Sequence, residues 1–185
     1  MKHIVVKDIK PETKVFKFIY IQDFFFLLTY MCGTYLLGNI VNTNSAYLSE
    51  KCAQLGLSVY YESVVGDNRD RMKDVIASAL DRSDVVILSG GLGPTEDDLT
   101  KEVCAEVMGL PLSEDPHSRK RIERYMKEYK KNHPDRRVTS NNYKQAQVPE
   151  GAIVLDNHNG TAPGLILEKN GKTAILLPGP PNELL

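Results

Sequence analysis

The residues best suited to chemistry in this 185-residue sequence cluster between Val85 and Thr100, VVILSGGLGPTEDDLT. Four aliphatic residues run into Ser89-Gly90-Gly91-Leu92-Gly93-Pro94 and then into Thr95-Glu96-Asp97-Asp98, which reads as strand, glycine turn and helix N-terminus. Glycines let a backbone approach a bound group where a Cβ would collide. Unpaired amides and the positive dipole end of a helix favour an anion at that point. Asp97 and Asp98 complicate a phosphate cradle, because carboxylates repel phosphate unless a divalent cation lies between them or one acts as a base. The stretch therefore suggests phosphate plus metal. Thr95-x-x-Asp98 is equally a capping-box-like arrangement that needs no ligand, so the local pattern alone leaves both readings open.

The elements that must position these residues follow from periodicity. Asn42 or Asn44 can cap a helix carrying Leu48, Cys52 and Leu55, with Gly56 at its C′ position. Leu57 to Val65 is a strand of valine and tyrosine, and Met72, Val75, Ile76, Ala79 and Leu80 share one helical face. Strands alternating with helices imply βαβ crossovers and a parallel sheet covered on both faces. Asp67 then sits at a strand's carboxyl end, as Gly90 to Asp98 do. If the two strands are neighbours, Asp67 and Asp98 converge on one crevice, where ligands bind in open α/β sheets; the alternative role for Asp67 is an N-cap.

The helix after the glycine turn continues through Thr100 to Met108 and ends at Gly109 to Pro111. Asp115-Pro116 is a strong helix start. Ser118 to Lys131 is rich in Lys and Arg around a narrow seam of Ile122, Tyr125 and Met126, so this helix is expected to lie across the surface. Its interleaved Glu123 and Glu128 favour a solvated face over a nucleic-acid contact. Thr139 to Ala146 reads as a short capped helix and Ala152 to Leu155 as a strand. Gly164 to Glu168 and Lys172 to Leu177 form a hairpin about Asn170-Gly171, and Pro181 can open a last helix. The fold class expected is three-layer α/β/α, a mostly parallel sheet plus an antiparallel hairpin.

As a whole pattern, Gly90 to Thr100 resembles the GGxGPTxDDxT signature of the molybdopterin-binding fold in the version found in the CinA (competence/damage-inducible) family. Gly38-Asn39-Ile40-Val41-Asn42-Thr43-Asn44, Val65-Gly66-Asp67-Asn68, Asn141-Asn142-x-Lys144-Gln145-Ala146, Gly160-Thr161-Ala162-Pro163-Gly164 and Leu176 to Leu184 also resemble that family's motifs, in order. The resemblance covers about Gly33 to Leu185. It departs from the pattern at Gly33-Thr34-Tyr35, which is one residue short and carries tyrosine where the family has glutamate. Residues 1–31 lie outside the resemblance and hold all five phenylalanines. They are read as a divergent leader before a domain over 32–185, with Phe24 to Met31 able to serve as the family's first strand. The chain is expected to be truncated at its C-terminus.

The resemblance implies a nucleotide- or pterin-phosphate-binding domain with metal-dependent hydrolysis of a pyrophosphate such as ADP-ribose. It puts Asp67 and Asp98 in the catalytic role, with Asp98, Asp97 and Asp67 as ligands to Mg2+ or Co2+. Phosphate and ligand contacts fall to Gly90, Gly91, Gly93, Thr95, Asn142, Lys144, Gly160, Thr161 and Gly179. Two alternatives stand beside it: pterin binding or adenylyl transfer in molybdenum-cofactor synthesis, and a non-catalytic binding or oligomerisation module.

Composition limits the other classes. A net charge of −1 gives no global field for nucleic acid or an anionic membrane. Ile19 to Cys32 is broken by Gln22 and Asp23 and falls short of the ~20 residues of a membrane span. Cys32, Cys52 and Cys104 have no metal-ligand spacing, and the scattered histidines have no i+3 or i+4 partner, so the cysteines read as reduced, buried thiols. A cytoplasmic homo-oligomer acting on a small molecule is expected, without nucleic-acid or membrane partners.

Overall fold

A computed structural model describes residues 26–31, 42–135 and 139–184. Its elements in chain order are β1 (Phe26–Met31), α1 (Thr43–Gln54), β2 (Val59–Val65), α2 (Arg69–Arg82), β3 (Val85–Ser89), α3 (Thr100–Met108), β4 (Leu112–Glu114), α4 (Pro116–Asn132), a 3₁₀ helix (Ser140–Ala146), β5 (Gln147–Pro149), β6 (Ile153–Leu155), β7 (Gly164–Lys169), β8 (Lys172–Leu177) and α5 (Pro181–Leu184). Six strands form one sheet in the order β2-β1-β3-β8-β7-β6. The first three neighbouring pairs are parallel and the last two antiparallel. This is the mixed sheet expected from the alternating pattern and the Asn170-Gly171 hairpin, whose two turn residues have φ of 52° and 77°.

Side-chain alternation along the strands assigns the layers. Val86 and Leu88 of β3, with Ala174 and Leu176 of β8, face a core closed by Met72, Ile76 and Ala79 of α2 and by Val103 and Cys104 of α3. Ile87 of β3 and the partly buried Ile175 and Leu177 of β8 face the other way, against Leu48 and Cys52 of α1. Period-two strands between period-3.6 helices therefore give helix, sheet and helix in three layers.

The strand expected at Phe24 to Met31 is present as Phe26–Met31, paired between β2 and β3. The rest of the 1–31 leader, and the Gly33-Thr34-Tyr35 segment, lie outside the described residues. Asn42 caps α1 by accepting from the Ser45 amide, and Asp115 caps α4 by accepting from Ser118. Thr139 makes no side-chain cap, and the segment after it is a 3₁₀ helix. One feature was not expected, the small antiparallel sheet of β4 and β5. Each of its strands is three residues long and all of β4 is exposed, so neither carries an alternating pattern. Among the described residues no helix is long and apolar enough to cross a membrane.

Candidate functional site

The carboxyl ends of β3 and β8, neighbours in the sheet, open into two loops that touch backbone to backbone. The Gly90 amide donates to the Leu177 carbonyl at 3.0 Å. A Cβ on Gly179 would stand 3.1 Å from the Gly90 Cα, so a larger residue there would push the loops apart. Asn44, in the first turn of α1 and 3% exposed, ties them together. Its Nδ2 donates to the Gly179 carbonyl at 2.6 Å and to Ser89 Oγ at 3.2 Å, and Ser89 Oγ donates to the Pro178 carbonyl. Three parts of the chain thus converge where the sheet ends.

Beyond Gly90 the loop folds onto itself. Gly91, with φ of 66°, lies so close to Thr100 that its missing Cβ would overlap the threonine hydroxyl. The Thr100 amide donates to the Gly91 carbonyl at 3.1 Å, and α3 starts there, not at Thr95. Thr95 and Asp98 instead close a turn of their own. The Thr95 amide and hydroxyl both donate to Asp98 Oδ2. With the Asp98 side chain committed to that turn, α3 begins without a side-chain cap. Gly93 packs against the Asp98 carboxylate, which occupies the space a Cβ would take.

Two lysines fix the outside of the turn. Lys144 Nζ donates to the carbonyls of Thr95 and Asp98. Lys101, 5% exposed, donates to the Lys144 carbonyl and pairs with Glu102 at 3.5 Å. Burial pushes the Lys101 ammonium below its ordinary pKa against the opposing pull of Glu102. The Asp97 carboxyl is held below the usual carboxylate range by hydrogen bonds from the Thr95 side chain and from its own backbone, with Lys144 adding its charge.

These loops enclose a cavity of about 550 Å³, within the size range of small-molecule sites. Of the residues singled out in the sequence, Asp67, Gly90, Gly91, Gly93, Asp97, Asp98, Thr161 and Gly179 line it. Asp67 reaches the wall because the N-cap of α2 is its neighbour Asn68, which accepts from the Arg71 amide at 3.0 Å. The strands before Asp67 and Asp98 are not neighbours, since β1 lies between them, yet both residues line the same cavity. Thr95, Asn142, Lys144 and Gly160 are not part of the wall. Thr95 and Lys144 are used in the turn, and the Asn142 side chain donates back to the Thr139 carbonyl. Gly160 packs under the Glu183 carboxylate and the Asn157 side chain, where a Cβ would collide with both.

Four further polar residues line the cavity that the sequence does not mark out as ligand contacts: Asn44, Ser89, Gln145 and Glu183. Each stands inside or beside one of the motifs; Asn44, Ser89 and Gln145 are uncharged, and Glu183 has no charged residue beside it in the sequence. Gln145 directly follows Lys144, and Asn44 reads in the sequence as a helix cap. Among the described residues no three His, Cys, Asp or Glu side chains form a metal-binding group on their own. The cavity is lined by Asp67, Asp97, Asp98 and Glu183 without three of them forming such a group, a donor set that fits magnesium's habit of taking one or two carboxylates and completing its shell with phosphate and water.

A three-layer α/β domain with a glycine-lined crevice at the carboxyl end of its parallel strands is the class this geometry defines. Residues 29–185 match the family described as "Probable molybdopterin binding domain". The CinA protein of Thermoplasma acidophilum has a solved structure similar to this one, with a TM-score of 0.74 and 35% identity over 86% of this chain and 90% of that one. The MoaB molybdopterin biosynthesis enzyme of Thermus thermophilus, 18% identical with a TM-score of 0.54 over 88% of this chain and 85% of its own, shares the fold. A curated competence-damage inducible protein of Caldicellulosiruptor bescii is 54% identical over 149 residues, which are 80% of this chain and 35% of the relative. A second, from Thermoanaerobacter sp. (strain X514), is 51% identical over 150 residues, 81% of this chain and 35% of that protein. The chain thus spans about a third of the length of these curated relatives. It belongs to the molybdopterin-binding domain family, in its CinA branch.

Proposed function

We propose that this domain binds a nucleotide or pterin phosphate in the cavity at the carboxyl edge of the sheet. With a divalent cation, magnesium or cobalt, it hydrolyses a dinucleotide-type pyrophosphate such as ADP-ribose. The observation that carries this reading is the composition of one wall: Gly90, Gly91 and Gly93 beside Asp67, Asp97 and Asp98. The Gly90 amide is spent on the Leu177 carbonyl, so the amides left to meet phosphate oxygens are those of Gly91 and Gly93. Carboxylates on the same wall oppose that binding unless a cation is shared, and Asp67 and Asp98 are the residues to hold it, with Asp97 next. Bound there, a divalent ion supplies charge neutralisation for the phosphates and a lowered pKa for the attacking water.

The remaining roles belong to the chain itself. Asp98 is aimed by Thr95 and by the packing of Gly93, and Lys144 holds the carbonyls on either side of the turn, so Lys144 is a positioning residue. Asn44 and Ser89 keep the two glycine loops in register. Water adds to one phosphorus of the ligand, the bridging P–O bond breaks, and a carboxylate of the wall accepts the proton.

A second reading is favoured by the family description and by the MoaB and Mog structures that share the fold: adenylyl transfer to a pterin, or pterin binding, in the same cavity. Product analysis separates the two. The chain is incubated with ADP-ribose and magnesium or cobalt, and the products are resolved by chromatography. Release of AMP and ribose 5-phosphate supports hydrolysis. An intact ADP-ribose, together with an adenylylated product when a pterin is supplied, supports transfer. Ligand-dependent stabilisation without any turnover marks a binding module.

A further inference from the structure

The glycine loops and Asn44 build one side of the cavity. Thr161 and Ala162, in the loop between β6 and β7, and Glu183, in α5, lie on its wall as well. Among the described residues, no backbone-to-backbone hydrogen bond outside the sheet joins residues 156–163 to another segment. Side chains make the connection instead. Asn157 is 6% exposed, and its Nδ2 donates to the Ala162 carbonyl at 2.9 Å and to Glu183 Oε2 at 2.7 Å. Its Oδ1 accepts from the Asn159 amide at 3.0 Å, and Asn159 Nδ2 donates to the Asn182 carbonyl at 2.9 Å. Gly160 lets the Glu183 carboxylate settle onto the loop, since a Cβ there would collide with it. A buried amide with both donors and its acceptor in use is a fixed point in a loop, and here it joins two segments of the cavity wall.

That joined pair is fastened from outside by α4, whose buried Ile122 anchors the helix next to Arg121. The Arg121 guanidinium donates from Nη1 to Asp156 Oδ1 at 2.7 Å and from Nη2 to the Asn157 carbonyl. A planar fork holds a carboxylate and a neighbouring carbonyl at once, which a lysine ammonium does not reproduce. His117 Nε2, one turn earlier on α4, lies 2.9 Å from the same Asp156 oxygen, so the loop keeps a contact with the helix when Arg121 is changed. The Arg121 and Asp156 side chains are both partly exposed, and an ion pair so near solvent adds little to global stability. Its consequence falls on where the loop sits.

We infer that Arg121 is a positioning residue for the ligand cavity, acting through Asn157 on the wall formed by Thr161, Ala162 and Glu183. Neither Arg121 nor Asn157 is part of the wall itself. This assignment rests on the reading of the cavity as the ligand site and adds the helix that sets its shape.

Binding of ADP-ribose with magnesium to the 185-residue chain is measured by calorimetry, with the unfolding midpoint of each protein taken as a check on folding. The proteins compared are the wild type, Arg121→Ala, Arg121→Lys, Glu183→Ala and the variant carrying both alanines. Changes that reach a site through a packed network alter affinity by roughly twofold to thirtyfold. Arg121→Ala should weaken binding about tenfold and leave the midpoint close to wild type. Arg121→Lys keeps the charge without the fork and should recover only part of that loss. In the Glu183→Ala background Asn157 has lost its partner across the two segments, so Arg121→Ala should cost clearly less than it does alone, whereas changes that share no partner multiply in full. Undiminished affinity in Arg121→Ala, complete recovery by lysine, or full multiplication in the double variant would each overturn the assignment and leave the cavity reading standing. If Arg121→Ala does not fold, the lysine variant decides alone, and wild-type affinity there overturns the assignment. Failure of the wild type to bind would fell the reading of the cavity on which the assignment rests, and the assignment with it.

Discussion

At the scale of single residues, the cavity wall is built by what side chains are not allowed to do. Asp98 accepts from the Thr95 amide, and Gly93 leaves room for its carboxylate. Asp98→Asn keeps an oxygen to accept from Thr95 and removes the charge. Hydrolysis of ADP-ribose should therefore fall by at least roughly a hundredfold while the unfolding midpoint stays close to wild type. Steady-state turnover and thermal unfolding measured on one preparation check both halves, and undiminished turnover would remove Asp98 from the reaction. Cys104 gives a second prediction. It is fully buried, and burial pushes its thiol up to about 12; Cys52, 4% exposed, is shifted in the same direction. Thiolate is the reactive form, so iodoacetamide at pH 8 should leave both unlabelled in the native protein and label both in urea, read by peptide mass mapping. The types of these residues were legible in the sequence: glycines after a strand, paired aspartates, isolated cysteines. Their partners were not. The Thr95 and Asp98 pattern reads equally as a helix cap or as part of a ligand site, and the structure makes it a closed turn ahead of the helix that starts at Thr100.

At the scale of elements, the glycine loops are positioned less by their own sequence than by a helix on the opposite face of the sheet. Asn44 is buried in the first turn of α1 and its amide holds both the β3 and β8 loops. Asn44→Ala would leave the Gly179 carbonyl without that donor, a loss of about 1–3 kcal/mol for a buried polar group. The expected outcome is a lower urea midpoint with an unchanged denaturant slope, together with weaker ligand binding because the two loops are no longer held together. A variant as stable as wild type would show that water replaces the asparagine. Periodicity revealed most of the helices and the hairpin because their apolar spacing is long enough to count. It could not reveal that β1 lies between β2 and β3, since strand order depends on pairing across the sheet and not on local pattern. Asp67 and Asp98 reach one cavity without lying on adjacent strands, because all the parallel strands end at one edge. Elements of three residues, such as β4, carry too few positions for any period to emerge.

At the scale of the whole molecule, the layers, the crevice and the family membership agree. A parallel sheet buried on both faces must send its connections over its ends, and glycine loops at the carboxyl end leave a cavity between helices. The resemblance first seen in linked motifs extends through the fold, and the cavity gathers eight of the residues those motifs suggested. The account stands on that cavity being where a phosphate-bearing ligand binds. Its most direct test is the unfolding midpoint of the chain with and without ADP-ribose and magnesium, measured side by side with Gly93→Ala, whose new Cβ would displace the Asp98 carboxylate. Ligand at about a hundred times its dissociation constant adds roughly 2.7 kcal/mol to native stability. For a chain of this size that is a rise of about 5–10 °C in the wild type, and Gly93→Ala should show little or none relative to its own ligand-free midpoint. An equal rise in both proteins would place the ligand elsewhere on the molecule, and no rise in the wild type would contradict the phosphate site altogether.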